Sequence, residues 1–298
     1  MATRQTLRIM ICVLLALTVF SNVHALTYPA GYDLVRVPDP LSGINPTYPL
    51  AIMPAPGIGQ PFFDHHFGTI LTRVTQSTDL RQEYAKFDPL NVDQSMIILY
   101  NIASGEFAVY QTSSFPYDAP ANRVRALDQF DEPRWDPLDP HIVWGLEFDG
   151  FKILRMNVLT GQTSVIKDFA ADPTLGPIIS SQPDLFRITT NQEGESSSDK
   201  RYWALCLQGS NDDYRVRYLF CWDRLQNQVV GLRTLSLSEA QLIDWVGMSP
   251  LGNWVLIGGD FGSGVTAGLT MADRQLTTFH RLAGSTAHSD VGLDTQGN

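Results

Sequence analysis

Cysteine is scarce in this sequence, with three residues among 298. Cys12 lies in an N-terminal hydrophobic run, which leaves Cys206 and Cys221 for the rest of the chain. Neither has the neighbouring histidine or the Cys-x-x-Cys spacing that a zinc site or a catalytic thiol requires. The two flank the turn-forming segment 209–213, so two interpretations stay open: a disulfide across a hairpin, or two buried free thiols.

Long hydrophobic runs are also rare, and the one that stands out, Ile9–Phe20, has 12 residues. It follows Arg4 and Arg8 and precedes Val23-His24-Ala25, the pattern of a secretory signal peptide cleaved after Ala25. A membrane-spanning helix needs about 18 apolar residues, and this run is shorter. We therefore predict a signal peptide over residues 1–25 and a secreted or periplasmic protein. An uncleaved N-terminal anchor is the alternative.

Basic residues are outnumbered, since Lys and Arg total 21 against 31 Asp and Glu. Removing residues 1–25 takes away two arginines and no acidic residue, so the mature chain is more acidic still. Nucleic acids and anionic lipid surfaces both need clustered Lys and Arg, and neither is expected as a partner. The expected partner is a peptide, a protein or a carbohydrate, bound by a monomer.

Helical periodicity is almost absent, and residues 237–245 could form two turns at most. The sequence has no Gly-x-Ser-x-Gly motif, which argues against a serine peptidase. Segment 258–264 is rich in glycine, but no strand-and-helix unit surrounds it, which argues against a phosphate-binding loop. Residues 26–62 carry eight of the 18 prolines and are predicted to form an extended lead-in.

The sequence does contain a repeated motif, in which an apolar residue precedes Asp or Ser, then Pro, then a short polar turn. The motif occurs at Phe87–Asn91, Trp135–Asp139 and Met248–Asn253, and a strand-forming run follows each copy. A strand, a polar turn containing Pro and a second strand are typical of a hairpin.

A second motif has Asn or Asp followed four residues later by Gly or Asn, at Asn101–Gly105, Asn157–Gly161 and Asp223–Asn227. Asn and Asp open turns by bonding the backbone, and Gly or Asn tolerates a positive φ. Both motifs recur at about the length of a four-stranded unit, which is typical of a β-propeller. A β-sandwich, the alternative for many short strands, would not repeat both motifs in phase.

We therefore predict an all-β protein, a β-propeller over residues 63–298 with four blades and the start of a fifth at His288. The expected blade ranges are 84–112, 132–169, 184–235 and 243–283. The sequence stops at Asn298, inside the first turn of the fifth blade, so we expect an incomplete ring that is a fragment of a longer protein. A closed ring of four blades plus one strand is the alternative.

Through these two motifs the chain resembles secreted and periplasmic propellers of the TolB-like and WD40-like superfamily. It resembles more weakly the propeller of oligogalacturonate lyases and the N-terminal propeller of dipeptidyl-peptidase-IV-type enzymes. The resemblance covers roughly residues 65–298 and rests on fold motifs, so it implies an architecture and is nearly silent on activity.

The inner strands of a propeller line a central channel, and their starts lie near one mouth. Arg134 and Trp135, together with Asp244 and Trp245, fall at two such starts and are predicted to bind a ligand by stacking and hydrogen bonding. Packing of the tryptophans between blades is the alternative. We predict a binding scaffold for a peptide, protein or glycan at this mouth, with no cofactor and no catalytic residue assigned.

His288 carries the alternative function, that of an enzyme. The channel of oligogalacturonate lyases has a histidine-rich metal site, and the resemblance implies His288 as one ligand of a divalent transition metal. The enzyme would be a metal-assisted polysaccharide lyase or hydrolase. Against it, the neighbouring inner-strand starts carry no histidine, and none of the four lysines falls at a predicted inner mouth. A hydrogen-bonded histidine that binds no metal is the other interpretation of His288.

Overall fold

A computed structural model describes residues 56–63, 69–211, 214–284, 289 and 292. The chain divides into two compact units, Met1–Arg73 and Val74–Asn298. In the described part of the first unit, strand β1 (Pro61–Phe63) pairs antiparallel with β2 (Ile70–Thr72). The predicted signal peptide and most of the proline-rich lead-in lie outside the described residues.

Within its described residues, the second unit contains four antiparallel sheets of four strands, each built from consecutive segments of the chain. The first sheet, blade 1, contains β3 (Leu80–Arg81), β4 (Met96–Asn101), β5 (Glu106–Gln111) and β6 (Arg123–Ala126). Blade 2 contains β7 (Phe130–Trp135), β8 (Ile142–Glu147), β9 (Lys152–Asn157) and β10 (Thr163–Asp168).

Blade 3 contains β11 (Leu185–Thr189), β12 (Tyr202–Gly209), β13 (Val216–Asp223) and β14 (Gln228–Thr234). Blade 4 contains β15 (Ile243–Met248), β16 (Val255–Gly259), β17 (Leu269–Ala272) and β18 (Phe279–Ala283). The described helices are short. They are a 3₁₀ turn at Pro120–Asn122, α1 at Gly176–Ser181 and α2 at Leu237–Ala240.

Consecutive blades pack face to face through separate apolar clusters. Between blades 1 and 2 the cluster includes Val109, Leu127 and Val143, and between blades 3 and 4 it includes Cys221 and Val246. Aromatic rings dominate the contact between blades 2 and 3, where they lie 5.0–6.2 Å apart, at Trp144, Phe169, Trp203, Phe220 and Trp222. Sheets of four meandering strands packed in sequence make this fold a β-propeller, as predicted.

The Asp-Pro motif forms the turn after the first strand of a blade. In blade 2 the Asp136 carboxylate accepts hydrogen bonds from the backbone N–H groups of Leu138 and Asp139, at 2.9 and 3.0 Å. Asp88 does the same for the N–H of Leu90 at 2.9 Å in blade 1. In both blades the aspartate therefore stabilises the turn that leads into the second strand, which is why the motif marks the blades.

The second motif is less regular than its spacing predicts. Asn157 and Asp223 open the turn between the third and fourth strands of blades 2 and 3, whereas Asn101 opens the turn between the second and third strands of blade 1. The two motifs were expected to occupy the same positions in every blade, and for blade 1 this expectation is wrong. This blade also runs from Leu80 to Ala126, beyond the predicted range 84–112.

Cys206 and Cys221 are buried free thiols, so the interpretation as a disulfide is wrong. Cys206 lies opposite Leu219 and Cys221 lies opposite Ala204 in the β12–β13 pair. The thiols are therefore diagonal neighbours on one face of the sheet, and they pack in the apolar cluster between blades 3 and 4. Burial raises the pKa of both thiols, that of Cys221 to about 12.

The predicted short helical segment is present as α2, within residues 237–245. Ser236 and Glu239 form a capping box, in which each side chain accepts from the backbone N–H of the other residue. None of the described helices is long and apolar enough to cross a membrane.

Candidate functional site

A cavity of about 850 Å³ lies where the first strands of blades 1, 2 and 3 come together. Arg81 in β3, Asp131 in β7 and Arg187 in β11 all contribute to its wall. Because the first strands of three blades meet here, these are the inner strands of the propeller. Tyr100 near the end of β4, Ser104 in the turn after β4 and Phe148 in the turn after β8 also line the cavity.

The wall combines aromatic rings with charged and planar polar groups. The aromatic members are Tyr84, Tyr100, Phe107, Phe130 and Phe148, and the charged or amide members are Arg81, Gln82, Glu83, Lys86, Asp131, Arg187 and Gln192. Phe148, at 58% exposure, is the most exposed of the aromatic members. This mixture is the usual composition of a site for a polar organic ligand.

Glu83 forms an ion pair with Arg134 of blade 2. Its carboxylate lies 2.5 Å from Nη1 of Arg134, and the Arg134 guanidinium stacks 3.5 Å from the centre of the Phe87 ring. Burial raises the pKa of Glu83 to about 7, although the Arg134 charge acts in the opposite direction. The negative charges of Glu132 and Asp131 raise it further. A carboxyl group that titrates near neutral pH therefore faces the cavity.

Asp131 is the second buried carboxyl group of the cavity, and Arg187 in blade 3 is its partner at 3.0 Å. Burial and the charge of Glu132 raise the pKa of Asp131 to about 6, against the effect of Arg187. Arg187 also donates from Nε to the amide oxygen of Gln208 at 2.5 Å, which fixes the guanidinium plane.

Glu132, the next residue after Asp131, makes its hydrogen bonds to blade 3. Its φ is +50°, and the pairing of β7 with β8 shifts register here, as in a β-bulge. The carboxylate accepts from the hydroxyls of Thr189 and Thr190 and from the backbone N–H groups of Thr190 and Gln192. Glu132 is 3% exposed and fixes the segment after β11 against blade 2.

Lys86 joins blade 1 to blades 3 and 4. Its ammonium group lies 3.2 Å from the Glu193 carboxylate and 4.1 Å from the centre of the Trp245 ring. Tyr84, in the same segment, has its pKa raised to about 12 by burial and by its hydrogen bond to Glu193. The expectation that no lysine lies at the inner mouth is therefore wrong, because Lys86 lines the cavity.

The four predicted ligand-binding residues surround this cavity and do not line it. Arg134 lies behind Glu83, and Trp135 is buried between blades 1 and 2, where its Nε1–H donates to the Pro89 carbonyl at 2.8 Å. Trp245 is 3% exposed beneath Lys86. The main-chain carbonyl of Asp244 accepts from the Asn191 amide at 2.7 Å. Their role in ligand binding stays a prediction.

Sequence reasoning missed Glu83, Arg187 and Phe148, which the fold brings together from three blades. A weak signal was present for Glu83, since it stands a few residues before an Asp-Pro turn, as Asp131 does in blade 2. Arg187 and Phe148 carry no local pattern that sets them apart.

The predicted metal ligand His288 lies outside the described residues, as do His65 and His66. Among the residues that the structure describes, no group of three or more His, Cys, Asp or Glu side chains is placed to hold a metal ion. The carboxylates of the cavity are instead engaged by arginines, in the pairs Glu83–Arg134 and Asp131–Arg187.

Comparison with known proteins gives structural relatives only, since no family model and no curated protein matches the sequence. The chain is similar to an oligogalacturonate lyase in complex with manganese, with a TM-score of 0.51 and 12% identity over 76% of this chain and 59% of the lyase. The chain thus spans less than two thirds of the lyase. This likeness shows the fold.

Two further solved structures share the arrangement at lower similarity. An oligogalacturonate lyase from Vibrio parahaemolyticus has a TM-score of 0.48 and 11% identity over 76% of this chain and 60% of its own. TolB from Acinetobacter baumannii has a TM-score of 0.39 and 11% identity over 70% of this chain and 45% of its own. The resemblance to the oligogalacturonate lyase propeller is confirmed for architecture by the first of these structures.

Proposed function

We propose that this chain is a ligand-binding propeller and that its ligand occupies the cavity between the first strands of blades 1, 2 and 3. The observation that carries the proposal is the composition of the wall, where five aromatic side chains meet the charged groups of three blades. Ion pairs already fix Glu83, Asp131, Arg187 and Lys86, so the site is ordered before a ligand arrives. Preorganisation of this kind reduces the entropy lost on binding.

The ligand that suits this wall best is a carbohydrate. Sugar rings place their C–H faces on aromatic rings and their hydroxyls on planar amide and guanidinium groups. The cavity supplies both, with the half-exposed ring of Phe148 at its rim and Gln82, Gln192 and Arg81 nearby. A volume of about 850 Å³ is large enough for a short oligosaccharide.

Binding to an oligosaccharide array, followed by calorimetry with the best ligand, tests the proposal. We expect Phe148→Ala to weaken binding about tenfold, which corresponds to about 1.4 kcal/mol. Phe261→Ala is the matched control, because Phe261 is 83% exposed in blade 4 and lies away from the cavity. Equal effects of the two variants would contradict the location of the site. If the protein bound only peptides, and Phe148→Ala weakened that binding to the same extent, the ligand would be a peptide and the proposed location of the site would stand.

We also propose that the chain works outside the cytoplasm. The support is the pattern of residues 1–25, with two arginines, a 12-residue apolar run and a cleavage motif ending at Ala25. N-terminal sequencing of the protein from an exporting host is expected to begin at Leu26. A protein that retains residues 1–25 would favour the anchor instead.

A further inference from the structure

The turn between β12 and β13 of blade 3 presents an exposed aromatic ring near the candidate carbohydrate cavity. Tyr214 in this turn is 62% exposed, slightly more than Phe148 at the rim of the cavity, and it does not itself line the cavity. Single exposed rings are common on protein surfaces. The contacts that Tyr214 makes with its neighbours therefore decide whether it can take part in binding.

Phe186 connects Tyr214 to the wall of the cavity. The rings of Tyr214 and Phe186 meet edge to face, with their centres 5.8 Å apart and their planes at 74°. The guanidinium of Arg187, which lines the cavity, lies 5.3 Å from the centre of the Phe186 ring. Side-chain contacts therefore run without a gap from the exposed turn through Phe186 to the cavity wall.

An irregularity in β11 explains how neighbouring residues can make this contact. Successive side chains of a regular strand point to opposite faces of the sheet. The pairing of β11 with β12 shifts register between Leu185 and Arg187, so the irregularity falls at Phe186. Shifts of this kind re-aim a side chain and are frequent beside functional sites. The shift accounts for the contact between Phe186 and Arg187.

Gln208 ties the turn to the same arginine. Its amide oxygen accepts from Nε of Arg187 at 2.5 Å, and its amide nitrogen donates to the main-chain carbonyl of Tyr214. At the other end of the turn, the backbone N–H of Ser210 donates to the Asp184 carbonyl at 2.7 Å. The backbone of Tyr214 is thus fixed relative to Arg187 before a ligand arrives, which reduces the entropy lost on binding.

The turn that carries Phe148 also contacts β11. The backbone N–H of Ile188 donates to the Gly150 carbonyl at 2.9 Å. Gly150 stands two residues after Phe148, and Ile188 stands two residues after Phe186. The two exposed rings, Phe148 in blade 2 and Tyr214 in blade 3, therefore belong to turns that contact the same short strand.

The charged groups beside Phe186 and Tyr214 are already paired. Arg187 lies 3.0 Å from the Asp131 carboxylate, and Nη1 of Arg217 donates to the Asp184 carboxylate at 3.0 Å. The whole chain has a net charge of −10 at pH 7, which disfavours a polyanion. Aromatic rings next to paired charges suit an uncharged ligand with both apolar faces and hydroxyl groups.

We propose that Tyr214 and Phe186 form a second sugar-binding position beside the cavity, and that the ligand is a linear, uncharged glycan long enough to occupy both. This inference rests on the proposed function. One end of the glycan lies in the cavity next to Phe148, the chain passes Arg187, and a later sugar places its C–H face on the Tyr214 ring. Binding is non-covalent, and the second position adds affinity only for the longer chain.

The dependence of affinity on chain length tests this inference. The probes are linear glucans, xylans and mannans, each titrated as the dimer and as the hexamer by calorimetry. For the glycan that binds, we expect the hexamer to bind wild type about tenfold more tightly than the dimer. Tyr214→Ala is expected to lose most of this gain with dimer affinity unchanged, and Tyr214→Phe to keep it because the ring remains. An equal ratio of hexamer to dimer affinity in wild type and Tyr214→Ala would overturn the inference.

Phe115→Ala is the matched control. Phe115 is 46% exposed and stacks on Tyr117 with ring centres 4.8 Å apart, but it lies in the connection between β5 and β6 and does not line the cavity. This variant is expected to bind dimer and hexamer like the wild type. An effect on the hexamer as large as that of Tyr214→Ala would overturn the inference.

Phe148→Ala separates this inference from the proposed function. It is expected to weaken the dimer and the hexamer alike, because both occupy the cavity. If Phe148→Ala weakened both while Tyr214→Ala left the ratio unchanged, the second position alone would be wrong. If none of the glycans bound the wild-type protein, the proposed carbohydrate ligand would be wrong as well.

Discussion

The Arg134 guanidinium lies 2.5 Å from the Glu83 carboxylate and stacks on Phe87, so an arginine from blade 2 supports an acidic group that blade 1 presents to the cavity. Both side chains are largely buried, at 10% and 14% exposure. The pair places a titratable carboxyl beside aromatic rings, at a point where three blades meet.

The stability of the protein is expected to depend on pH through Glu83. The pKa of Glu83 is about 7 in the folded chain against an ordinary value of 4.5, so the folded state binds more protons between these values. The free energy of unfolding therefore falls as pH rises from about 4.5 to 7, by up to about 3 kcal/mol from this group. Urea unfolding across this range measures the slope.

Glu83→Gln is the control for that slope. The amide does not titrate, so the variant is expected to lose most of the decrease in stability between pH 4.5 and 7. Asp131 contributes its own decrease at lower pH, between 3.8 and about 6, in both proteins. An identical slope in wild type and variant would show that Glu83 titrates normally.

A second prediction concerns Glu132, whose carboxylate accepts hydrogen bonds from hydroxyl and backbone donors of blade 3. Glu132→Gln places an NH₂ group against these donors, and we expect the free energy of unfolding to fall by about 2–4 kcal/mol. Glu106→Gln provides the comparison, because Glu106 is exposed at the start of β5. Chemical denaturation of both variants gives the two values. Equal losses of stability in the two variants would show that Glu132 does not fix blade 3 against blade 2.

The third prediction concerns the two thiols. Cys206 and Cys221 are buried and unoxidised, and burial raises the pKa of both. Iodoacetamide is expected to leave both unmodified in the native protein and to alkylate both after denaturation without a reductant. Peptide mapping distinguishes the two sites. Alkylation that required prior reduction would reveal a disulfide and contradict the register of β12 and β13.

The blades could be predicted from sequence because their turns are local. Asp136 bonds N–H groups two and three residues away, so its pattern is visible in the chain itself. The predicted start of blade 1 was too late because β3 has only two residues, too few to show an alternating pattern, and β6 at its other end was not predicted. The pairing of the cysteines depended on strand register, and β12 shifts register between Leu207 and Gln208. A shift of this kind leaves no trace in the residue types.

The candidate site was less accessible to sequence reasoning, because its contacts are long-range. Asp131 and Arg187 are 56 positions apart and belong to different blades. The channel-mouth prediction named the tryptophans that pack around the cavity and did not name Phe148 at its rim. Which aromatic ring faces solvent is decided by packing between sheets, and the period of a strand does not reveal it.

Hydrogen–deuterium exchange with and without the best oligosaccharide tests most directly where the ligand binds. We expect slower exchange in peptides that cover 81–86, 100–107 and the turn at Phe148, with blade 4 unchanged beyond Trp245. Protection confined to residues 255–283, or to surfaces away from the first strands of blades 1 to 3, would show that the ligand does not bind in this cavity.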